Sequence, residues 1–581
     1  MTLHWGRGRG FAHSNRKTQG NGLSLNFLSG TLDSRITFTR GSNATLIDST
    51  GKLTYAPANL LTYSSGTLAQ YPTATGNVSN ATTPITGFPN SIQFGNNSQG
   101  SAVYASFIPI VGVSYILSVY IQMDSGAAPV PSNTTTSGDF GLVVNNNQSS
   151  AVPTVVPVSG SIYRAYVLFT ASGAGGNMGV IKYTGQSANP FRVTGYQLEP
   201  VTYQTTPSTY VATTASAYYG PRFDYDPVTR VPDGLLIEEA RTNLLTYSEQ
   251  VDNAAWTKVA ASITANATSA PSGVVAADTL IEGTTASIHC AYQIATRSAG
   301  VATYTFSTFF KAFSTNRYIK LQIADGPTTN YSSVFINPVT GTIVGSVTNV
   351  GFTAGSATVV PVGNGWYRGI ITATTDAVST QIGGQVYLAT TASVDNYTGD
   401  GVSGVYVWGA QIELGAFATS YIPTIAATVT RSADAASLTG TNFSSWYNQT
   451  EGTWVLGYQT AFTGAAPASA FMIALDSSST KRHMYVASTA QTFSNFDGTN
   501  ILSAAQNSTG IVAKSASAYS ATEKVIVSLG GSVATGPVVA GYSTGTSVLL
   551  PSGGNNFNGH IRQIAYYNTR LPNATLQALT A

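Results

Sequence analysis

Few residues in this chain have the type and spacing that chemistry requires. The five histidines, His4, His13, His289, His483 and His560, are scattered, and no P-loop, zinc-protease or paired-cysteine motif occurs. Gly541-Tyr-Ser-Thr-Gly545 fits the G-x-S-x-G pattern of a nucleophile elbow. That chemistry needs Ser543 at a strand–turn–helix corner, with an acid and then a histidine further along. No Asp or Glu follows Ser543, and a chain rich in Gly, Ser and Thr produces such matches by composition. Two carboxylate pairs, Asp224 with Asp226 and Glu238 with Glu239, have the residue type that cleaves glycosidic bonds. We read them instead as turn caps and as partners of Arg222 and Arg241. Asp395 and Asp400 flank Asn-Tyr-Thr-Gly and could offer oxygens to Ca²⁺. We read that segment as a solvated loop and leave metal binding unassigned. Trp256, Trp366, Trp408 and Trp454 could stack on sugar rings, but each lies in or beside a strand-like run and is expected in a core. No sugar-binding residue is assigned from sequence, and no enzyme activity and no cofactor are expected.

One segment is built differently. Arg7, Arg9, Arg16 and Lys17 gather positive charge among glycines, with Trp5 and Phe11 between them. Single-stranded RNA binders can look like this. A peptide that orders only on docking to a protein partner fits better, so these six residues are the expected docking site.

The elements that hold such residues must be strands. The 581 residues amount to several domain lengths. Charged residues make up only 9 %, against about 25 % in ordinary soluble domains, and 26 Lys+Arg against 24 Asp+Glu leave a net charge of +2. This balance argues against nucleic acid as a partner. Ser, Thr, Asn and Gln take the polar positions, beside 58 Gly, 32 Tyr and 23 Phe, and 43 % of the chain is hydrophobic. Enough aromatic and β-branched surface exists to build large cores, while long helices lack their usual residues. The single cysteine, Cys290, has no intramolecular disulfide partner, so packing must hold those cores. The first ten residues contain no apolar stretch of the kind a secretory signal carries. Ser101 to Met123 is uncharged but interrupted by Pro109 and Gly112, and is expected as two buried strands rather than a membrane insertion. Asn-x-Ser/Thr sequons such as Asn80-Ala-Thr82 reflect composition.

Internal repetition organises the chain. Asn59-Leu-Leu-Thr-Tyr-Ser64 recurs as Asn243-Leu-Leu-Thr-Tyr-Ser248, and Tyr115–Ile121 parallels Tyr304–Phe310. Tyr163-Arg164 then parallels Tyr367-Arg368. Gly195-Tyr-Gln-Leu-Glu199 parallels Gly409-Ala-Gln-Ile-Glu413, followed by Thr209-Tyr210 and Ser420-Tyr421. Four landmarks in one order make residues 59–211 and 243–424 two copies of one β module. Each is expected as an antiparallel jelly-roll sandwich, with Leu198 and Ile412 pointing inward and their polar neighbours outward. The fold class is therefore all-β, tandem β-sandwich domains with an irregular N-terminal anchor. Residues 1–58 form the anchor and leader strands, with strands at Leu25–Gly30 and Arg35–Arg40 and a turn at Asp48–Gly51. Residues 212–242 form a connecting hairpin turning at Pro232-Asp-Gly. Residues 425–581 form a third sandwich, whose tail Leu571–Leu579 is the best helix in the sequence.

These pieces carry a resemblance. Ile36-Thr-Phe-Thr-Arg-Gly-Ser-Asn-Ala-Thr, Arg222-Phe-Asp-Tyr-Asp-Pro, Gly234-Leu-Leu-Ile-Glu-Glu-Ala-Arg-Thr-Asn-Leu-Leu and Ser248–Lys258 resemble a module of tailed-bacteriophage fibre, spike and minor structural proteins. In that family the first two pieces are usually near neighbours. Here residues 59–211 separate them, as if one β module were inserted in the leader of the other. The repeats are similar to carbohydrate-binding jelly rolls, and Gly559–Asn568 with Leu571–Leu576 looks like a laminin-G or concanavalin-A-like sandwich. The resemblance implies a virion structural protein: a tail-fibre or appendage subunit docked by its N-terminus. It would be assembled in the host cytoplasm, exposed on the particle, homotrimeric, and adhesive to host-surface glycan. A capsid-decorating head fibre and a tailspike glycan depolymerase are the alternatives it leaves open.

Overall fold

The structure is a computed structural model, and it describes residues 21–96, 100–173, 175–314, 317–326, 330–460, 470–476, 481–486, 492–505, 512–550 and 558–581. The expected docking residues Trp5, Arg7, Arg9, Phe11, Arg16 and Lys17 lie outside the described residues. The chain divides into two compact units, residues 38–435 and residues 1–37 with 436–581. Its architecture is tandem antiparallel β-sandwiches.

The larger unit holds both repeats. In the first, one sheet runs Thr154–Ser159, Ile162–Thr170, Ser114–Met123, Phe191–Val201, Ile92–Phe94, Val78–Asn80. The facing sheet runs Asn147–Gln148, Gly141–Val144, Asn177–Lys182, Ser101–Ser106, Thr73–Thr75. Alternating apolar residues of both, among them Ile92, Val103, Leu117, Leu142, Val180 and Leu198, meet in one buried core. The uncharged stretch from Ser101 thus forms two strands, as its Pro and Gly required. The second repeat builds its sandwich the same way. Thr303–Ala312 pairs with Trp366–Thr374 on one side and Gly404–Leu414 on the other, over a core containing Phe306, Leu321, Val334 and Ile412. Trp366 and Trp408 fall in a smaller cluster with Phe309, Tyr421 and Leu53 of the leader. Trp256, Trp366, Trp408 and Trp454 are all buried. Cys290 is buried too, and burial pushes its thiol up to about 12.

Four local expectations need correction. The first leader strand is Asn21–Asn26, not Leu25–Gly30. The Asn26 side chain accepts the Leu28 N–H, and Phe27–Ser29 closes as a 3₁₀ turn with Gly30 at φ 72°. The later leader strand is only Thr37–Thr39. The hairpin of residues 222–237 turns at Asp226–Arg230, with Pro232-Asp-Gly inside the returning strand. Asp226 decides this: its carboxylate accepts the N–H groups of Val228 (2.9 Å) and Thr229 (2.6 Å), and Arg230 takes φ 61°. Lastly, Gln197, Glu199, Gln411 and Glu413 do not face solvent; all four are buried.

The smaller unit pairs Asn21–Asn26 with Gly559–Tyr567, which continues into Gly452–Thr460, Ala513–Tyr519 and Glu523–Ser528. A second sheet contains Ser547–Leu550, Ala470–Leu475, Arg482–Val486, Thr492–Phe496 and Ile501–Ala505. The tail helix forms at Asn573–Thr580 and buries Leu576. Among the described residues no helix is long and apolar enough to cross a membrane.

Candidate functional site

The burial of the Gln-x-Glu pairs shows what the repeats conserve. After its closing strand each copy folds back over the outer face of the sheet, and the polar row receives that returning strap. Gln197 Oε1 accepts the Val211 N–H (2.9 Å) and Glu199 Oε1 accepts the Ser208 N–H (2.9 Å). In the second copy Gln411 Oε1 accepts the Ile422 N–H (2.7 Å), and Glu413 accepts Thr419 N–H (2.9 Å) and Oγ1–H (2.7 Å). Asn59 Nδ2 donates to Tyr196 O and Val211 O, each 2.9 Å; Asn243 Nδ2 donates to Ala410 O (3.1 Å) and Ile422 O (2.9 Å). Ser64 Oγ meets Tyr210 OH at 2.6 Å, and Ser248 Oγ meets Tyr421 OH at 2.6 Å. Arg164 reaches Ser118 Oγ (2.9 Å) and Ser208 O (2.5 Å); Arg368 reaches Ser307 Oγ (2.8 Å) and Thr419 O (2.8 Å). All four sequence landmarks therefore belong to one polar latch, built twice. The Asn, Gln, Glu and Arg side chains each satisfy a backbone group that would otherwise be buried unpaired, and the Ser–Tyr and Arg–Ser bonds join side chains across the latch.

A second construction ties the repeats to the leader. Arg222 Nη1 pairs with Glu238 Oε2 at 2.6 Å and Nη2 with Asp434, while Arg40 Nη1 reaches Asp434 Oδ1 at 2.9 Å and Arg431 Nη2 approaches Glu238 at 3.4 Å. Glu238 also accepts the Ser420 N–H (2.7 Å) and Oγ–H (2.6 Å). Burial opposes the charge on Glu238, but Arg431, Arg222 and Ser420 outweigh it and hold the carboxyl well below the usual carboxylate range. Burial likewise opposes the charge on Arg222, and Asp434 and Glu238 overcome it and raise the pKa. Arg40 is lowered to about 10, mainly by burial. Asp224 accepts the Ile47 N–H at 2.6 Å, and Glu239 pairs with Arg241. None of the four suspected hydrolytic carboxylates is left as a free acid–base pair.

The other motifs also resolve into structure. Asp395 pairs with Lys320. Asp400 accepts Val402 N–H (2.9 Å) and Ser403 N–H (2.7 Å) and meets Arg317 at 3.1 Å, which holds the loop by ion pairs as well as solvent. Among the described residues no group of three or more His, Cys, Asp or Glu side chains could hold a metal ion. Ser543 donates from Oγ to Gln449 O at 2.6 Å, and the chain continues into the strand Ser547–Leu550 rather than a helix, so the elbow geometry is missing.

What sequence reasoning missed is a cavity of about 540 Å³ within the larger unit. The leader hairpin, Thr45–Ile47 with Leu53–Tyr55, forms one wall. It is held in place from both repeats. Thr202 Oγ1 donates to Thr54 Oγ1 (3.1 Å) from the first copy; in the second, Pro271 O accepts the Leu53 N–H (3.1 Å) and Tyr421 O accepts the Thr45 Oγ1–H (2.5 Å). The loop Phe107–Val113 supplies an apolar side, on which Ile108 and Ile110 stand exposed. Trp408, Tyr421 and Glu249 come from the second copy. Burial pushes the Glu249 carboxyl up to about 7, the Tyr421 hydroxyl working against that by donating to the charged form. Burial also raises the phenols of Tyr55 and Tyr421, so both remain protonated donors at neutral pH. A second, more open depression of about 530 Å³ lies by Asp139, whose carboxylate is committed to Val130 N–H (2.8 Å), Asn189 (3.1 Å) and Ser187.

No family model matches the chain, and no curated protein matches it. Among solved structures it is similar to the N-terminal CBM22-1–CBM22-2 tandem domain of Xyn10C from Paenibacillus barcinonensis, at 13 % identity over 62 % of this chain and 98 % of that one, with a TM-score of 0.20. Mouse laminin α1 domains LG4-5 match at 10 % identity over 46 % and 84 %, TM-score 0.15. The LG1-3 region of the laminin α2 chain matches at 9 % identity over 82 % and 97 %, TM-score 0.13. The fold stated above rests on the sheets themselves.

Proposed function

We propose that the chain is a non-enzymatic subunit of a tailed-bacteriophage appendage that docks on the particle by residues 1–20 and adheres through its sandwiches to glycan on the host surface. One observation carries the reading: three of the four segments that resemble the phage fibre module meet, together with Arg431 and Asp434, at a single buried centre. Arg40, Arg222, Glu238, Arg431 and Asp434 close together although the whole of residues 59–211 lies between the first two. A leader that keeps its own contacts around an inserted, latched sandwich suits a part that presents rigid modules away from an anchoring end. The sparse charge, 9 % of residues, suits adhesion to neutral glycan more than to nucleic acid. The commitment of Asp224, Glu238 and Glu239 to structural partners favours binding over cleavage. We propose a homotrimer, which would cover exposed sheet edges.

Antibody raised against residues 59–211 and used on purified particles tests this directly. Decoration of the tail is the expected result, decoration of the head would reassign the chain to the capsid surface, and undecorated particles would refute a virion role. Deleting residues 1–20 should leave a folded chain that is absent from particles.

A further inference from the structure

We propose that the 540 Å³ cavity is the binding site for a neutral pyranose residue, with Tyr55 facing its apolar C–H surface and Glu249, Asn43 and the Trp408 indole N–H meeting its hydroxyls. This rests on the adhesion reading for the source of the sugar and adds the place where it is held.

The volume lies within the roughly 300–1,000 Å³ of ordinary ligand sites, and the wall mixes apolar and aromatic side chains with polar ones such as Asn43, Thr45, Glu249 and Gln250, as a sugar with an apolar face and hydroxyl edges asks. Three wall residues carry polar atoms that have no partner among the described residues: Asn43 Oδ1, the Trp408 Nε1–H and the Nε–H of Arg431, whose Nη2 belongs to the buried ion cluster. Trp408 is 1 % exposed, and among the described residues neither its Nε1–H nor the buried Asn43 Oδ1 has a hydrogen-bond partner. One is a donor and the other an acceptor, and buried polar atoms normally find partners. A hydroxyl serves either. Glu249 adds a half-buried carboxyl with no ion-pair partner among the described residues. With its titration near neutrality it both donates and accepts, again as a hydroxyl ligand asks.

The charges select against other ligands. An anionic sugar would face Glu249, and a cationic one would meet Arg431 of the same lining. The exposed Ile108 (68 %) and Ile110 (53 %) leave an apolar lip for the next unit of a chain. The site exists only because one repeat interrupts the leader of the other. Its walls come from residues as far apart as Asn43 and Arg431.

The test is a glycan array of terminal neutral pyranosides probed with the fluorescently labelled full chain, followed by titration of the best methyl pyranoside. Three variants are compared: Ala276→Trp, which fills the cavity from a half-buried wall position, Tyr55→Ala and Glu249→Gln. Wild type should bind, Ala276→Trp and Tyr55→Ala should each lose at least tenfold in affinity, and Glu249→Gln should lose severalfold. Thermal unfolding checks the fold, and Tyr55→Ala with Glu249→Gln decide the matter if Ala276→Trp fails to fold. Wild-type binding that all folded variants retain unchanged would place the sugar elsewhere and leave adhesion standing. Absence of wild-type binding across the array would remove adhesion and this site together.

Discussion

Glu238 and Glu239 are consecutive, identical in type, and predicted to differ several-fold in their effect on stability. Glu238 is 2 % exposed and accepts from Arg222 Nη1 and from both the N–H and hydroxyl of Ser420. Its removal leaves three buried guanidinium groups, those of Arg40, Arg222 and Arg431, around Asp434 alone. Breaking a buried pair by deleting one partner costs about 3–5 kcal/mol, because the survivor keeps its desolvation penalty. The side chain of Glu239 is 26 % exposed and pairs with Arg241 alone among the salt bridges described. Removing it strands one guanidinium, that of Arg241, which is 8 % exposed and still packs on the Phe417 ring, so the cost should be about 1–2 kcal/mol, between a surface and a buried pair. Glu238→Ala should therefore shift the urea midpoint of residues 38–435 markedly, and Glu239→Ala several-fold less. Trp256, Trp366 and Trp408 lie in that unit, so Trp5→Phe, Trp446→Phe and Trp454→Phe in the background isolate the signal. Equal effects of the two alanine variants, or a Glu238→Ala loss below about 1 kcal/mol, would refute the buried charge centre as the joint.

Three further outcomes are expected. His483 is buried against Tyr542 and Tyr519, and burial lowers its pKa to about 3. The folded form then binds fewer protons than the unfolded form below pH 6.5, so the smaller unit should lose about 2–3 kcal/mol between pH 6.5 and 4.5, and His483→Phe should flatten that slope in pH-dependent denaturation. In the larger unit the lowered pKa of Glu238 gives stability that is full above about pH 4.5 and lost as pH falls further, a later acid transition that calorimetry should separate from the first. Gly195 and Gly409 hold φ 61° and 65°, and an added Cβ would come within 2.7 Å of the Tyr120 ring and 2.8 Å of the Phe309 ring. Gly→Ala at either position should cost about 2–4 kcal/mol by strain and overpacking, similarly in both copies by chemical denaturation.

Much of this architecture could be read from the residues. The alternation in Tyr115–Ile121 and Tyr304–Phe310 placed the central strands, and Pro109 with Gly112 broke the uncharged stretch into two. Repetition showed that Asn59, Arg164, Gln197 and Glu199 matter, but their role was misjudged. Strand alternation sends Gln197 and Glu199 away from Leu198, and only the returning strap makes that face an interior. The hairpin turn moved because a capping aspartate, Asp226, competed better than a Pro-Asp-Gly sequence. The cavity left no sequence signal at all. Its walls are ordinary strand and loop residues from distant segments, and the pKa of Glu249 is set by burial that no local pattern encodes.

The most direct measurement takes the purified full chain and an immobilised neutral host-type polysaccharide, records binding by surface plasmon resonance, and sizes the polysaccharide before and after incubation. Reversible binding with the polysaccharide length unchanged is the predicted result. Shortened chains, or no binding to any neutral glycan, would contradict a non-enzymatic adhesive role.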